Sequence, residues 1–161
     1  MFDEETLEKI TMEMLEELGY ECVNGYEMQR TDYSSVILEE DLLEPIKKLN
    51  TINLDQAKEV IRLIRNLEQN NTILNNKRFT EYLLSGVPIP YQENGETRYK
   101  TIKIFDTDKI SNNIFKAVNQ YTIIEHSEKR PDIIIIFING LPLIIVELKS
   151  TVREDVKLID G

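Results

Sequence analysis

Histidine and cysteine are nearly absent from this 161-residue chain, which has one of each, His126 and Cys22, and no tryptophan. A lone cysteine excludes an internal disulfide framework and any multi-cysteine zinc centre, and a lone histidine excludes a histidine cluster. The redox setting this implies is cytosolic. Long apolar runs are missing too. The two longest, Ile133 to Ile138 and Leu141 to Val146, fall far short of the ~20 residues that span a bilayer, and the second contains Pro142. No membrane segment is expected. The amino terminus, Met1-Phe2-Asp3-Glu4-Glu5, is acidic where a secretory signal is basic and then apolar, so secretion is not expected either. A chain of this length buries roughly 70% of its unfolded surface and needs no staples, which favours one domain over residues 1–161.

Acid dominates what is present: 29 Asp and Glu against 19 Lys and Arg give a net charge of −10. That balance argues against a surface made for phosphate backbones. The acidity is local, however. Residues 1–45 hold 14 of the acids and only Lys9 and Arg30 as bases, which leaves 15 acids and 17 bases for residues 46–161. Two readings stay open: a solvated helix face with an acidic loop, or a surface that repels nucleic acid on one side and so orients it on the other.

Hydrophobic spacing divides the chain into a helical half and a strand-rich half. Leu7, Ile10, Met14, Leu15 and Leu18 recur at helical intervals among glutamates, with Gly19 as a stop, and predict an amphipathic helix over residues 3–18. Tyr20 to Val23 suits a short strand. A second helix is expected over 36–49 with a kink or restart at Pro45, a third over 55–68 with Asn53 as N-cap, and a fourth over 75–84. After Gly86 the pattern becomes strand, Asn94-Gly95 turn, strand, over 87–105. Residues 114–125, rich in β-branched and aromatic side chains, predict a third long strand. Asp132 to Ile138 and Leu143 to Lys149 predict two more, almost continuously apolar and therefore buried on both faces.

Ionisable residues gather at the ends of these last two strands. Pro131-Asp132 opens one, and Glu147-Leu148-Lys149 closes the other. If Asn139-Gly140 is a two-residue turn, Asp132 faces Glu147; if Pro142 forces a four-residue loop, Asp132 faces Lys149. Parity keeps Asp132, Glu147 and Lys149 on one face in both registers, and only a one-residue slip separates them. Two carboxylates at bonding range repel unless a cation lies between them, and all-oxygen ligation suits a hard divalent ion such as Mg²⁺ or Mn²⁺. The backbone carbonyl of Leu148 offers a further oxygen. Lys149 could orient an attacking water and stabilise charge on a phosphate. Such an arrangement hydrolyses phosphodiesters; the bland alternative is a strand end that presents charges to water.

The run from Arg130-Pro131-Asp132 through Phe137, Asn139-Gly140-Leu141-Pro142 and on to Glu147-Leu148-Lys149-Ser150 resembles the nuclease motif in the restriction (R) subunit of type I restriction-modification enzymes, a PD-(D/E)xK nuclease. The likeness covers nearly the whole chain. It includes Glu8, Leu18-Gly19-Tyr20, Arg30, Val36-Ile37-Leu38-Glu39, Leu49-Asn50, Asn76 with Phe79 and Leu83, Gly86-Val87 and Val118-Asn119-Gln120. The resemblance implies a nuclease domain ahead of two ATP-dependent translocase domains and a helical region that docks on the modification enzyme, with ATP bound only in the full-length protein. No Gly-x-x-x-x-Gly-Lys-Ser/Thr phosphate loop occurs in these 161 residues. An N-terminal fragment or isolated domain is therefore expected, and the family's Gln-x-x-x-Tyr element, which follows Glu-x-Lys, is missing.

Position by position, the resemblance implies that Asp132 and Glu147 bind metal and that Lys149 is the catalytic lysine. It implies that Glu8 approaches the metal from its helix, unless Glu8 is a solvated helix residue. Lys129 and Arg130 either bind DNA phosphate oxygens or are ordinary surface charges. His126 reads as a loop residue, and Asn119-Gln120 reads equally as a hydrogen-bonding pair at a sheet edge. The fold expected is α/β: a mixed central sheet flanked by helices, PD-(D/E)xK-like, with the N-terminal helix near the hairpin and the middle helices forming a lobe. The function expected is Mg²⁺-dependent cleavage of double-stranded DNA in the cytoplasm. Modification and specificity subunits would read the sequence, and the fragment alone would be weakly active or inactive. Its rivals are a non-catalytic module that docks on DNA or on other subunits, and an RNA or repair nuclease of the same broad fold.

Overall fold

The computed structural model of the chain describes residues 3–30, 32–67, 71–124, 128–129 and 133–149. It divides into two compact units, the first comprising residues 1–36, 115–137 and 142–161, the second residues 37–114 and 138–141.

In the first unit, helix α1 (Glu4–Glu17) begins at Asp3, whose side chain accepts the Thr6 N–H at 2.9 Å. These hydrogen bonds from Thr6 hold the Asp3 carboxyl below its ordinary range. Glu4 and Glu5 occupy the first turn, where the helix dipole favours negative charge. Gly19, at φ +90°, lets the chain reverse into β1 (Glu21–Asn24). Strand β1 runs parallel to β4 (Phe115–Asn119), with Cys22 opposite Ala117 and Val23 opposite Val118. The four-stranded sheet continues in the order β1-β4-β7-β8, where β7 is Ile133–Ile138 and β8 is Leu141–Glu147. Two residues can join only antiparallel neighbours, so β7 and β8 form a hairpin and the sheet is mixed. The fold class is α/β, a mixed four-stranded sheet flanked by helices, consistent with a PD-(D/E)xK-like nuclease fold.

Three expectations need correction in this unit. The apolar stripe of α1 does not all turn inward: Ile10, Met14 and Leu18 are exposed, Leu18 by 74%, while Leu7, Glu8, Thr11, Met12 and Leu15 are half-buried. A long strand over 114–125 does not form. Strand β4 stops at Asn119 because Gln120 takes φ +50°, and β5 (Ile123–Ile124) pairs instead with β6 (Glu128–Lys129) in a separate antiparallel ribbon. Strand β7 is buried from Ile134 to Phe137 as expected, but β8, the last strand in the sheet order among the described residues, exposes Ile144 and Ile145. Apolar composition alone does not distinguish an edge strand from a central one.

The second unit holds α2 (Glu39–Leu49), α3 (Leu54–Arg65) and α4 (Thr72–Ser85), followed by β2 (Val87–Glu93) and β3 (Glu96–Ile102). Helix α2 continues through Pro45, whose ring is buried. Asn53 caps α3 as expected, accepting the Gln56 N–H at 2.9 Å while the Gln56 side chain accepts the Asn53 N–H at 3.2 Å. Strands β2 and β3 form their own hairpin through Asn94-Gly95, both at positive φ, and do not extend the four-stranded sheet. Leu42, Ile46, Val60, Val87, Ile89 and Ile102 are fully buried in this unit. Residues 106–113 are irregular apart from one 3-10 turn at Ile110–Asn112.

Candidate active site

The turn joining β7 to β8, Asn139-Gly140, belongs to the second unit and is held there by its own atoms. Asn139 and Gly140 have φ of +49° and +76°, the signature of a type I′ turn. Asn139 is completely buried. Its Nδ2 donates to the Ile104 carbonyl and to Asn113 Oδ1, and its Oδ1 accepts the Ile114 N–H at 2.8 Å. The Gly140 carbonyl accepts the Leu38 N–H at 2.9 Å, and a Cβ at Gly140 would run into the Leu38 carbonyl. Since Leu141 and Pro142 already lie in β8, the connection is the two-residue turn, which sets Ile138 opposite Leu141.

At the far end of β8, Glu147 Oε1 and Lys149 Nζ pair at 2.8 Å, both side chains more than half exposed. The hydrogen bond from Lys149 holds the Glu147 carboxyl below its ordinary range. Leu148, between them, lines a cavity of about 210 Å³ whose walls also include Glu4, Glu5, Glu8, Gln120 and Ile133. Glu8 is not a solvated helix residue: it is half-buried, its Oε1 accepting from Asn119 Nδ2 at 2.8 Å and its Oε2 from Gln120 Nε2 at 3.0 Å. The structure therefore brings Glu147 to Lys149, and Glu8 to the cavity that Leu148 lines. Asp132, Arg130 and His126 lie outside the described residues, and Lys129 is described only by its backbone in β6, opposite Ile123.

Asn119 and Gln120 do not form a sheet-edge pair; both carboxamides turn to Glu8. The segment after β4 is held from the other side by Arg30. Its Nη1 donates to the Ser35 carbonyl and to the Tyr121 hydroxyl, its Nη2 donates to the Thr122 carbonyl, and the guanidinium lies 4.0 Å from the Tyr121 ring centroid. Burial pushes the Tyr121 phenol above its ordinary range. Nothing in the sequence assigned Arg30 this role, because Tyr121 and Thr122 lie 91 and 92 residues away.

Among the described residues no three His, Cys, Asp or Glu side chains come together as a metal-holding group, and no helix is long and apolar enough to cross a membrane.

A family model described as the type I restriction enzyme R protein N terminus matches residues 1–160. The chain is 33% identical over 171 residues to the type I restriction enzyme HindI endonuclease subunit of Haemophilus influenzae, a match covering 100% of this chain and 16% of that protein. It is 30% identical over 154 residues to a protein of Methanocaldococcus jannaschii assigned as the MjaIXP endonuclease subunit of a type I restriction enzyme, covering 89% of this chain and 15% of that protein. The chain thus spans about a sixth of the length of the curated relatives it matches.

Proposed function

The chain belongs to the family of type I restriction enzyme R protein N termini, and we propose that it is the DNA-cleaving module of such an enzyme, hydrolysing phosphodiesters of double-stranded DNA with Mg²⁺ or Mn²⁺. The observation that carries this reading is the Glu147–Lys149 pair at the end of a hairpin whose register is fixed at Asn139 and Gly140. Were the pairing to continue along the hairpin, that register would set position 132 opposite position 147. The Asp132 and Glu147 carboxylates would then share a face with Lys149.

Asp132, Glu147 and the Leu148 carbonyl would hold the ion, with Glu8 as a further oxygen donor. The donor set is all oxygen, with no sulfur or imidazole, and so fits a hard divalent cation in kind. When bound, the ion supplies Lewis acidity toward the phosphate and offsets repulsion between the carboxylates. Lys149 orients the attacking water and stabilises the negative charge that builds on the phosphate oxygens; Glu147 keeps its ammonium in place. Lys129 and Arg130 contact flanking phosphates. In the longer protein this module works beside an ATP-driven translocase, and modification and specificity subunits read the DNA sequence in the cytoplasm.

The test is Lys149→Ala in the complete enzyme. DNA cleavage should fall by about 10²–10³-fold, the usual loss on removing one charge-stabilising donor, while ATP hydrolysis persists. Parallel loss of ATP hydrolysis would mean that Lys149 holds structure together, and undiminished cleavage would remove it from the chemistry. An isolated chain that folds and docks but binds no divalent ion would favour a non-catalytic docking module.

A further inference from the structure

Helix α1 is turned in an unexpected way. It leaves Ile10 and Met14 exposed and directs Glu8 inward beside the half-buried Leu7 and Leu15, where transfer of apolar surface alone would keep the carboxylate in water. The inward carboxylate meets two carboxamides, one on each oxygen. Those carboxamides come from adjacent residues, although successive side chains of a strand point to opposite faces. Both reach Glu8 because Gln120 leaves the strand at φ +50°, a conformation that costs a non-glycine residue free energy.

The surroundings enforce that conformation. The Gly25 N–H donates to the Asn119 carbonyl at 2.8 Å, and a Cβ at Gly25 would collide with the carbonyls of Asn119 and Gln120. Arg30 fixes the next two residues, Tyr121 and Thr122. Asn119 also gives up something: its Oδ1 is buried with no hydrogen-bond partner among the described residues, so its amide is oriented by donation to Glu8. Strain, a glycine-only contact and an unsatisfied oxygen all serve one arrangement, the Glu8 carboxylate held at the wall of the cavity that Leu148 lines.

We propose that Asn119 and Gln120 are positioning residues that fix the Glu8 carboxylate as an oxygen donor to the divalent cation. The proposal rests on the metal-dependent reading above. Each carboxylate oxygen keeps a lone pair after accepting one amide N–H, and the amides remove the rotamer freedom that a glutamate on a helix otherwise has.

Mn²⁺ titration of the 161-residue chain, followed by electron paramagnetic resonance of the free ion, tests both layers separately. Glu147→Ala should abolish binding; if the wild type does not bind Mn²⁺, or Glu147→Ala binds as tightly as wild type, the metal-dependent reading fails and this proposal with it. Asn119→Ala/Gln120→Ala should weaken Mn²⁺ binding by about 10–100-fold, as loss of groups that orient a ligand does. In a Glu8→Gln background the same pair of substitutions should cost nothing more. Wild-type affinity in the double variant, with Glu147→Ala still defective, overturns the positioning role alone. So does a further loss in the Glu8→Gln background, since the effect would then not pass through Glu8. If the double variant does not fold, Gln120→Met keeps the shape and removes one donor: weakened Mn²⁺ binding with an unchanged melting temperature in the absence of metal supports the proposal, and unchanged binding overturns it.

Discussion

Asn139 uses every hydrogen-bonding atom of its side chain inside the protein, on three partners from two places in the chain: Ile104, and the adjacent Asn113 and Ile114. Asn139→Ala would leave the Ile114 N–H and the buried Ile104 carbonyl without this partner, and at 1–3 kcal/mol for each unsatisfied group the loss should be about 2–6 kcal/mol. Gly140→Ala combines a left-handed φ with a backbone collision and should cost a comparable amount, about 2 kcal/mol or more. Urea melts of the two variants check this, and a loss under half of that for both would show that the turn is not what fixes the hairpin. A pH dependence attaches to Asp106. Its carboxylate accepts the Lys109 N–H at 2.8 Å, the Asn112 side-chain amide at 2.7 Å and the Asp108 N–H at 3.0 Å, and these bonds hold its carboxyl below the ordinary carboxylate range. A carboxyl lowered on folding stabilises the native state above its unfolded value, and that contribution is lost as pH falls through the folded value. Asp106→Ala should therefore melt earlier than wild type at neutral pH, with the gap closing in acid as pH falls below the ordinary aspartate range. A gap of constant size across that range would assign the stabilisation to packing.

Among the elements, α1 provides the sharpest test of which face is packed, because two methionines two residues apart lie on opposite sides. Met12 is half-buried, and its carbonyl accepts the Cys22 thiol at 3.3 Å; Met14 is 59% exposed. Met14→Lys should change stability by no more than about 0.5 kcal/mol, and Met12→Lys should cost about 1–3 kcal/mol. The reverse order in thermal melts would mean that the helix is rotated from this description. The same helix shows how far the sequence could be read. Its span, its Gly19 stop, the Asn53 cap of α3 and the Asn94-Gly95 turn depend on neighbours within a few residues and were legible, whereas the sequence left the Asn139-Gly140 connection open between a two-residue turn and a four-residue loop. The face of α1 was not legible, because Glu8 is drawn inward by amides 111 and 112 residues away. The break after Asn119 depends on Gly25 and Arg30, and the exposure of Ile144 and Ile145 depends on sheet order; neither leaves a local signal. Of the candidate site, the sequence placed Glu147 and Lys149 together at the end of the last strand, but their direct ion pair, with Lys149 beyond the end of β8, and the Asn119–Gln120 hold on Glu8 required the tertiary structure.

For the whole molecule the deciding quantity is charge. Fourteen of the 29 acids fall in residues 1–45 with only two bases, and three of those acids, Glu4, Glu5 and Glu8, line the cavity beside Leu148. Such a field attracts divalent cations and repels phosphate, so ion binding and DNA binding by the chain alone should come apart. With a net charge of −10, few phosphates can be neutralised, and the logarithm of DNA affinity should fall with the logarithm of salt concentration at a slope no steeper than about −3. Non-specific Kd should be no tighter than the usual 10⁻⁴–10⁻⁶ M at physiological salt. In the proposed enzyme, delivery of DNA would fall to the parts of the longer protein that the relatives' lengths imply, about six times this chain. Incubation of the chain with supercoiled plasmid and Mg²⁺ at low salt, alongside fluorescence anisotropy with a duplex across a salt series, measures both properties. The expected outcome is slow or absent nicking and binding that disappears at moderate salt, while Mn²⁺ titration still detects the ion. Rapid linearisation that Asp132→Ala abolishes would show instead that these 161 residues capture and cut DNA unaided, and that the local acidity around α1 does not govern access to the site.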